Sequence, residues 1–257
     1  KFIASDDPVT KVGLINGTKL DFVPTRKFTI PVDSAAALNS GTVPLEDADK
    51  IVDKIEWEIS SGSMAKSELM ILDLIANNNW KRPIYFTALG HRATLGLDKY
   101  FRLEGYAYRF VPIRNDDYQP TAPGSINTDI LYNNLMNKFK WGRMNEEDVF
   151  LGYYHRRVLK IIKVRGTFSR LADALIEEGK IDSAITVLDK CLELLPNRVL
   201  EFDYYNTSVA ESYYKAGAME KGTAHVREYA SILMEELKYY VSLSQKNVNT
   251  VTVETNR

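Results

Sequence analysis

The stretch from Arg165 to Pro196 constrains the fold more than any other part of the chain, because it fits one helical-hairpin repeat almost residue for residue. Counting back from Pro196 as a closing proline, such a repeat asks for a bulky residue near its start and apolar or small residues along both helices. Phe168, Leu171, Ala172, Leu175, Ala184, Leu188 and Cys191 fill those positions. Gly179 falls between the two helical runs, where a residue that tolerates left-handed backbone closes the first helix. Asp182 then stands as the candidate N-cap of the second. Repeats of this kind are scaffolds, so the pattern points towards binding or architecture rather than a catalytic core.

The spacing is that of a tetratricopeptide (TPR) repeat over 165–196, and a degenerate second copy is expected at about 203–236. Ala210, Tyr213, Gly217 and Gly222 echo Ala172, Leu175, Gly179 and Ala184, each 38 residues later. The standard period is roughly 34, so about four extra residues are expected around Leu200–Tyr205. Two repeats fall short of the roughly three that stack independently, which leaves the helices from Thr128 to Val164 to supply the missing packing surface.

A chain of 257 residues exceeds the size at which single cores stop growing, and two domains are expected: a small α/β or α+β domain over 1–124 and an all-α TPR-like region over 125–257. The apolar fraction of 45% is that of a folded protein. Lys plus Arg number 33 against 34 Asp plus Glu, and residues 1–124 hold 15 basic and 16 acidic groups. Neither half is basic enough for electrostatically driven nucleic-acid binding, so no nucleic-acid partner is expected. No apolar run approaches the roughly 20 residues that span a bilayer. With no initiator Met and no leader at Lys1-Phe2-Ile3-Ala4, the chain reads as a mature product or a piece of something longer. A lone Cys191 excludes an intramolecular disulfide and leaves the compartment open.

Along the first domain, Asn16-Gly17 marks a hairpin, and the prolines 24, 31 and 44 confine their segments to edges or loops. From Leu45 the spacing of Ile51, Ile55 and Ile59 predicts a helix, with Trp57 off its stripe. A second helix is expected over Ser67–Ala76, closed by Asn77-Asn78-Asn79. Strands are expected over 84–89 and 106–111, the latter with Tyr106, Tyr108 and Phe110 on one face and Ala107, Arg109 and Val111 on the other. Residues 115–125 (NDDYQPTAPGS) read as the linker. Helices are then expected over Thr128–Phe139, Glu146–Val164 and Val209–Leu243, before a polar tail from Gln245.

The search for chemistry yields few candidates. His91, His155 and His225 have no second His, Cys or carboxylate at a metal-motif spacing, so no metal is expected. The Gly90–Leu97 run follows a strand but lacks a phosphate-binding glycine pattern, and no cofactor is expected. Cys191 sits at a small-residue repeat position, which favours packing over nucleophilic chemistry. Arg156, Lys160 and Lys163 share a helical face that could hold an anionic group or a membrane surface, although a solvated face is the plainer account. Glu104, in Arg102-Leu103-Glu104-Gly105, could serve as a general acid or sugar ligand. Glycoside chemistry needs a second carboxylate that the sequence does not place, and a salt bridge to a nearby arginine is the plainer account. The many aromatics between Trp57 and Phe110 read as core.

The block Asn77-Asn78-Asn79-Trp80-Lys81-Arg82-Pro83-Ile84-Tyr85-Phe86, read with Tyr100-Phe101-Arg102-Leu103-Glu104-Gly105-Tyr106-Ala107-Tyr108-Arg109-Phe110-Val111-Pro112 and Phe168-Ser169-Arg170-Leu171-Ala172, carries a family resemblance. These segments resemble the C-terminal region of bacterial protein O-mannosyltransferase-like membrane proteins, over about Lys11 to Glu236. The resemblance implies a parent with an N-terminal polytopic membrane part that holds the acidic catalytic loop, followed by an extracytoplasmic, periplasmic region ending in TPR-like helices. It therefore implies no catalytic residue in this chain, attachment to the inner membrane through upstream segments, and a protein or peptide partner. Two other readings stand beside it: a free-standing TPR adaptor, and a soluble carbohydrate-active enzyme using Glu104.

Overall fold

A computed structural model of the chain describes residues 11–13, 15–17, 19–21, 25–89 and 94–243. The chain divides into two units, Lys1–Ser125 and Ile126–Arg257. The first is a small sheet-containing region and the second is helical.

In the first unit, strands β1 (Lys11–Gly13) and β2 (Lys19–Asp21) pair antiparallel on either side of Asn16-Gly17. Strand β3 (Lys27–Pro31) leads into helix α1 (Ser34–Asn39), whose first turn is capped by Asp33, its Oδ1 accepting from the Ala36 N–H at 2.9 Å. A 3₁₀ turn over Leu45–Lys50 follows, and then strand β4 (Lys54–Glu58) pairs antiparallel with β3.

Strand β4 replaces the helix expected there. A spacing of four residues satisfies a strand's period of two as well as a helix's 3.6. The intervening residues decide between them: Lys54, Glu56 and Glu58 are exposed while Ile55, Trp57 and Ile59 are buried. Trp57 thus lies on the same face as the isoleucines, stacked on Phe28 with ring centroids 5.5 Å apart.

Helix α2 (Lys66–Asn78) starts where the Ala65 N–H donates to Glu68 Oε2 at 2.5 Å, and it ends at Asn79 in left-handed backbone. Trp80 turns the chain and stacks on Phe110 at 5.3 Å. Three short strands complete the unit: β5 (Tyr85–Phe86), β6 (Phe101–Leu103) and β7 (Tyr108–Phe110), with β7 central and antiparallel to both neighbours. The strand expected from Tyr106 starts two residues later, because Gly105-Tyr106-Ala107 form the β6–β7 turn, closed by Glu104 N–H donating to Ala107 O at 3.0 Å. On the core face of this sheet Phe101 contacts both Phe86 and Phe110.

The segment 115–125 is tied to the sheet. Ser125 donates its N–H to Phe101 O at 2.8 Å and accepts from Leu103 N–H at 2.9 Å, adding a parallel bridge beside β6. Proline and glycine content correctly marks this stretch as irregular, but irregular backbone can still carry ladder hydrogen bonds.

In the second unit, helix α3 (Thr128–Tyr132) runs into a π-helical turn over Asn133–Lys138. The helix expected over Glu146–Val164 shrinks to α4 (Tyr153–Ile161). Upstream, Arg143 holds Glu146 and Asp148 in a turn by side-chain ion pairs. Downstream, Lys163 adopts left-handed backbone at φ 54° and a new helix, α5 (Val164–Glu177), begins. Helices α6 (Ile181–Leu194), α7 (Tyr205–Lys215) and α8 (Met219–Ser242) complete the unit.

Helices α5 and α6 form one hairpin and α7 and α8 another, with α5 also packed on α7. Gly179 and Gly217 end the first helix of each hairpin at φ 75° and 74°, a conformation that costs a residue with a Cβ. The second break divides the helix expected over Val209–Leu243. Phe168, Leu171, Ala172, Leu175, Ala184, Leu188 and Cys191 are all buried where α5 and α6 meet their neighbours. Pro196 opens the connecting loop, its carbonyl accepting from the Val199 and Leu200 N–H groups. Two carboxylates tie the hairpins together: Asp173 accepts from Ser212 and Lys215, and Asp189 from Tyr213 and Lys221.

Candidate functional site

The densest buried polar cluster of the first unit lies on the face of the β5–β7–β6 sheet opposite the phenylalanines. Cross-strand register sets Tyr85, Arg109 and Arg102 on one rung. Glu104, two residues beyond Arg102, falls on the same face because strand side chains alternate. Its Oε1 accepts from Arg102 Nε at 2.9 Å and, in a shorter contact, from Arg102 Nη2. Its Oε2 accepts from the Tyr85 hydroxyl at 2.7 Å, with Arg109 Nη1 3.7 Å away. Arg102 Nη2 also donates to Thr42 O, and Arg109 Nη2 to Thr42 Oγ1.

Both oxygens of Glu104 are therefore engaged, and its side chain is only 5% exposed. Burial first, then the hydrogen bond to Glu104, pushes the Tyr85 phenol upward. A general acid must reach a leaving group with a free oxygen, and among the described residues no second carboxylate stands in this cluster. The geometry is that of an ion pair bracing a sheet. Sequence alternation could have placed Arg102 beside Glu104, but Tyr85 and Arg109 join only through register, which no local pattern encodes.

In the second unit, the three basic residues expected on one face separate. Arg156 Nη1 and Lys160 Nζ each donate to Glu201 at 2.7 Å, one to either oxygen. The hydrogen bond from Lys160 is the main reason the Glu201 carboxyl is held below its ordinary range. Lys163 lies beyond the end of α4, in the left-handed kink, and so leaves the shared face.

Behind this clamp lies Arg165, which the basic run from His155 suggests as one more surface cation but which is buried. It is 1% exposed and donates to the carbonyls of Leu195, Leu200 and Glu201, with Asp203 at 3.9 Å and the Phe202 ring beneath it. The four or so extra residues between the hairpins are thus organised by one guanidinium, and burial pulls its pKa down. Cys191 is fully buried close by, its thiol pushed up to about 12 by desolvation, so it is no nucleophile at neutral pH.

Residues 1–130 match the family described as TMEM260-associated domain 2. The chain belongs to that family. No curated protein and no solved structure matches it. The match spans the first unit, with its Arg102–Glu104 cluster, and stops within α3. Membership in TMEM260-associated domain 2 makes this a domain associated with a TMEM260-like membrane protein. Among the described residues, no helix is long and apolar enough to cross a membrane.

Of the three histidines, His91 lies outside the described residues, His155 is exposed on α4, and His225 is buried on α8 against Phe202. Among the described residues, no group of three His, Cys, Asp or Glu side chains is placed to hold a metal.

Proposed function

We propose that this TMEM260-associated domain 2 chain is a non-catalytic domain of a membrane-bound, protein O-mannosyltransferase-like protein, and that it engages acceptor protein or a partner subunit. It would do so through TPR-like helical hairpins on the extracytoplasmic side, which in a bacterial parent is the periplasm. Family membership supports the association with a membrane protein. The ion-pair engagement of Glu104 supports a non-catalytic reading, since the soluble carbohydrate-active alternative depends on that residue.

The observation that carries the interaction reading is the length of α8. It has 24 residues against 11 in its hairpin partner α7, so its C-terminal half runs on past α7. Leu233, Leu237 and Val241 are exposed there at intervals of four residues, with Met234 three before Leu237, which forms an apolar stripe. Hairpin repeats bury such stripes against a following repeat or a bound segment. A free-standing TPR adaptor would use the same stripe, but it leaves the family membership without a role.

The test uses the full-length parent at equal expression. Replacing Leu233 and Leu237 by serine, or deleting residues 126–257, is expected to lower sugar transfer to protein acceptors severalfold. Unchanged transfer in both variants overturns the proposal.

A further inference from the structure

Helix α4 is amphipathic in an unusual sense: its apolar side faces outward. Tyr154, Val158 and Ile161 are spaced four and three apart and share one face. Tyr154 is 74% and Ile161 66% exposed. The opposite face carries Arg156 and Lys160, which turn inward to grip Glu201. No residue of α4 is fully buried; Arg156, Leu159 and Lys160 are half-buried while the Tyr154–Ile161 side is open. A helix folding only for its own stability would be rotated the other way, with its apolar stripe inside.

We infer that α4 is a surface anchor which lies flat on an anionic lipid bilayer. Three features select a bilayer over another occupant. Tyr153 and Tyr154 form an aromatic fringe of the kind that settles at the headgroup level, with rings in the acyl boundary and hydroxyls in water. Arg157, flanking the stripe, and Lys163, just past the helix, are exposed and have no carboxylate at ion-pair distance among the described residues. These two cations flank the apolar stripe and suit anionic headgroups. A short ridge of low mean hydropathy with a strong apolar side is the form that binds in the interface and does not span it. The inference rests on the reading of the chain as a domain of a membrane protein.

The test is co-sedimentation of the 257-residue chain with vesicles of phosphatidylcholine containing one-third phosphatidylglycerol. The chain is expected to bind these vesicles, to bind pure phosphatidylcholine far more weakly, and to release as salt is raised. Combining Tyr154→Ser, Val158→Ser and Ile161→Ser is expected to weaken binding about tenfold or more. Because these side chains are exposed, the helical circular dichroism of the variant should match that of the parent. Met70→Ser with Leu74→Ser, which removes exposed apolar groups of α2, is expected to bind as the parent does.

Absence of binding to the anionic vesicles, equal binding to neutral ones, or indifference to the triple substitution overturns the inference. So does concentration-dependent dimerisation abolished by the triple substitution, which would assign the stripe to a second copy. No acceptor protein enters the assay, so this inference can fail while the transfer experiment succeeds, and the reverse.

Discussion

At the scale of single residues, Glu104 decides between chemistry and architecture. It is the counterion of two arginines, one fully sequestered, and its removal leaves both without their carboxylate. Breaking a buried pair from one side costs about 3–5 kcal/mol, because the remaining charge keeps its desolvation penalty. Glu104→Gln is therefore expected to lower the unfolding free energy of the first unit, measured by urea titration, by about 3–5 kcal/mol. A catalytic carboxylate behaves differently, since its loss abolishes turnover with little effect on stability. The sequence holds half of this information. Arg102 and Glu104 are two apart in a strand-forming run, so their contact is local. Tyr85 and Thr42 arrive through tertiary register, and composition alone cannot supply that.

At the scale of elements, the two helices within 165–196 are the most legible part of the chain because their apolar signal is dense. The residues chosen for packing, from Phe168 to Cys191, are buried, and Gly179 sits at the turn in left-handed backbone. The β4 segment was illegible for the opposite reason: three isoleucines four apart fit both periods, and only the charged residues between them discriminate. The burial of Arg165 is illegible because a buried arginine inside a helix looks like any surface one, and its partners are backbone carbonyls with no sequence signature.

Its neighbour His225 gives the packing of α8 a pH dependence. Burial first, and then the charge of Arg165, hold the imidazole below its ordinary value near 6.5, and the backbone of Asn206 offsets this only in part. Below that ordinary value the unfolded chain takes up a proton that the folded one refuses, so stability falls with pH in this window and is flat above it. His225→Phe, which keeps an aromatic ring against Phe202, is expected to shrink the drop in urea midpoint between about pH 7.5 and about pH 5. Glu201 acts in a separate window. Its carboxyl is lowered from 4.5, so the stability it adds is lost only as pH falls below that value.

At the scale of the whole molecule, three boundaries fall close together without coinciding. The Pro- and Gly-containing stretch over 115–125 looks like a linker, the first compact unit closes at Ser125, and the family match ends at residue 130. Composition reports where backbone is irregular. It does not report whether irregular backbone is hydrogen-bonded, which is why the stretch reads as free while its last residue is laddered to β6. The difference can be measured. A fragment ending at Ser125 keeps both hydrogen bonds between Ser125 and β6, whereas one ending at Arg114 leaves Leu103 N–H and Phe101 O without them. Each such bond contributes about 0.5–1.5 kcal/mol net, and an orphaned buried group costs about 1–3 kcal/mol. Residues 1–114 are therefore expected to unfold at a lower temperature and less cooperatively than residues 1–125 in calorimetry. Identical melting of the two fragments would make 115–125 a true linker, and the first unit would then end at β7.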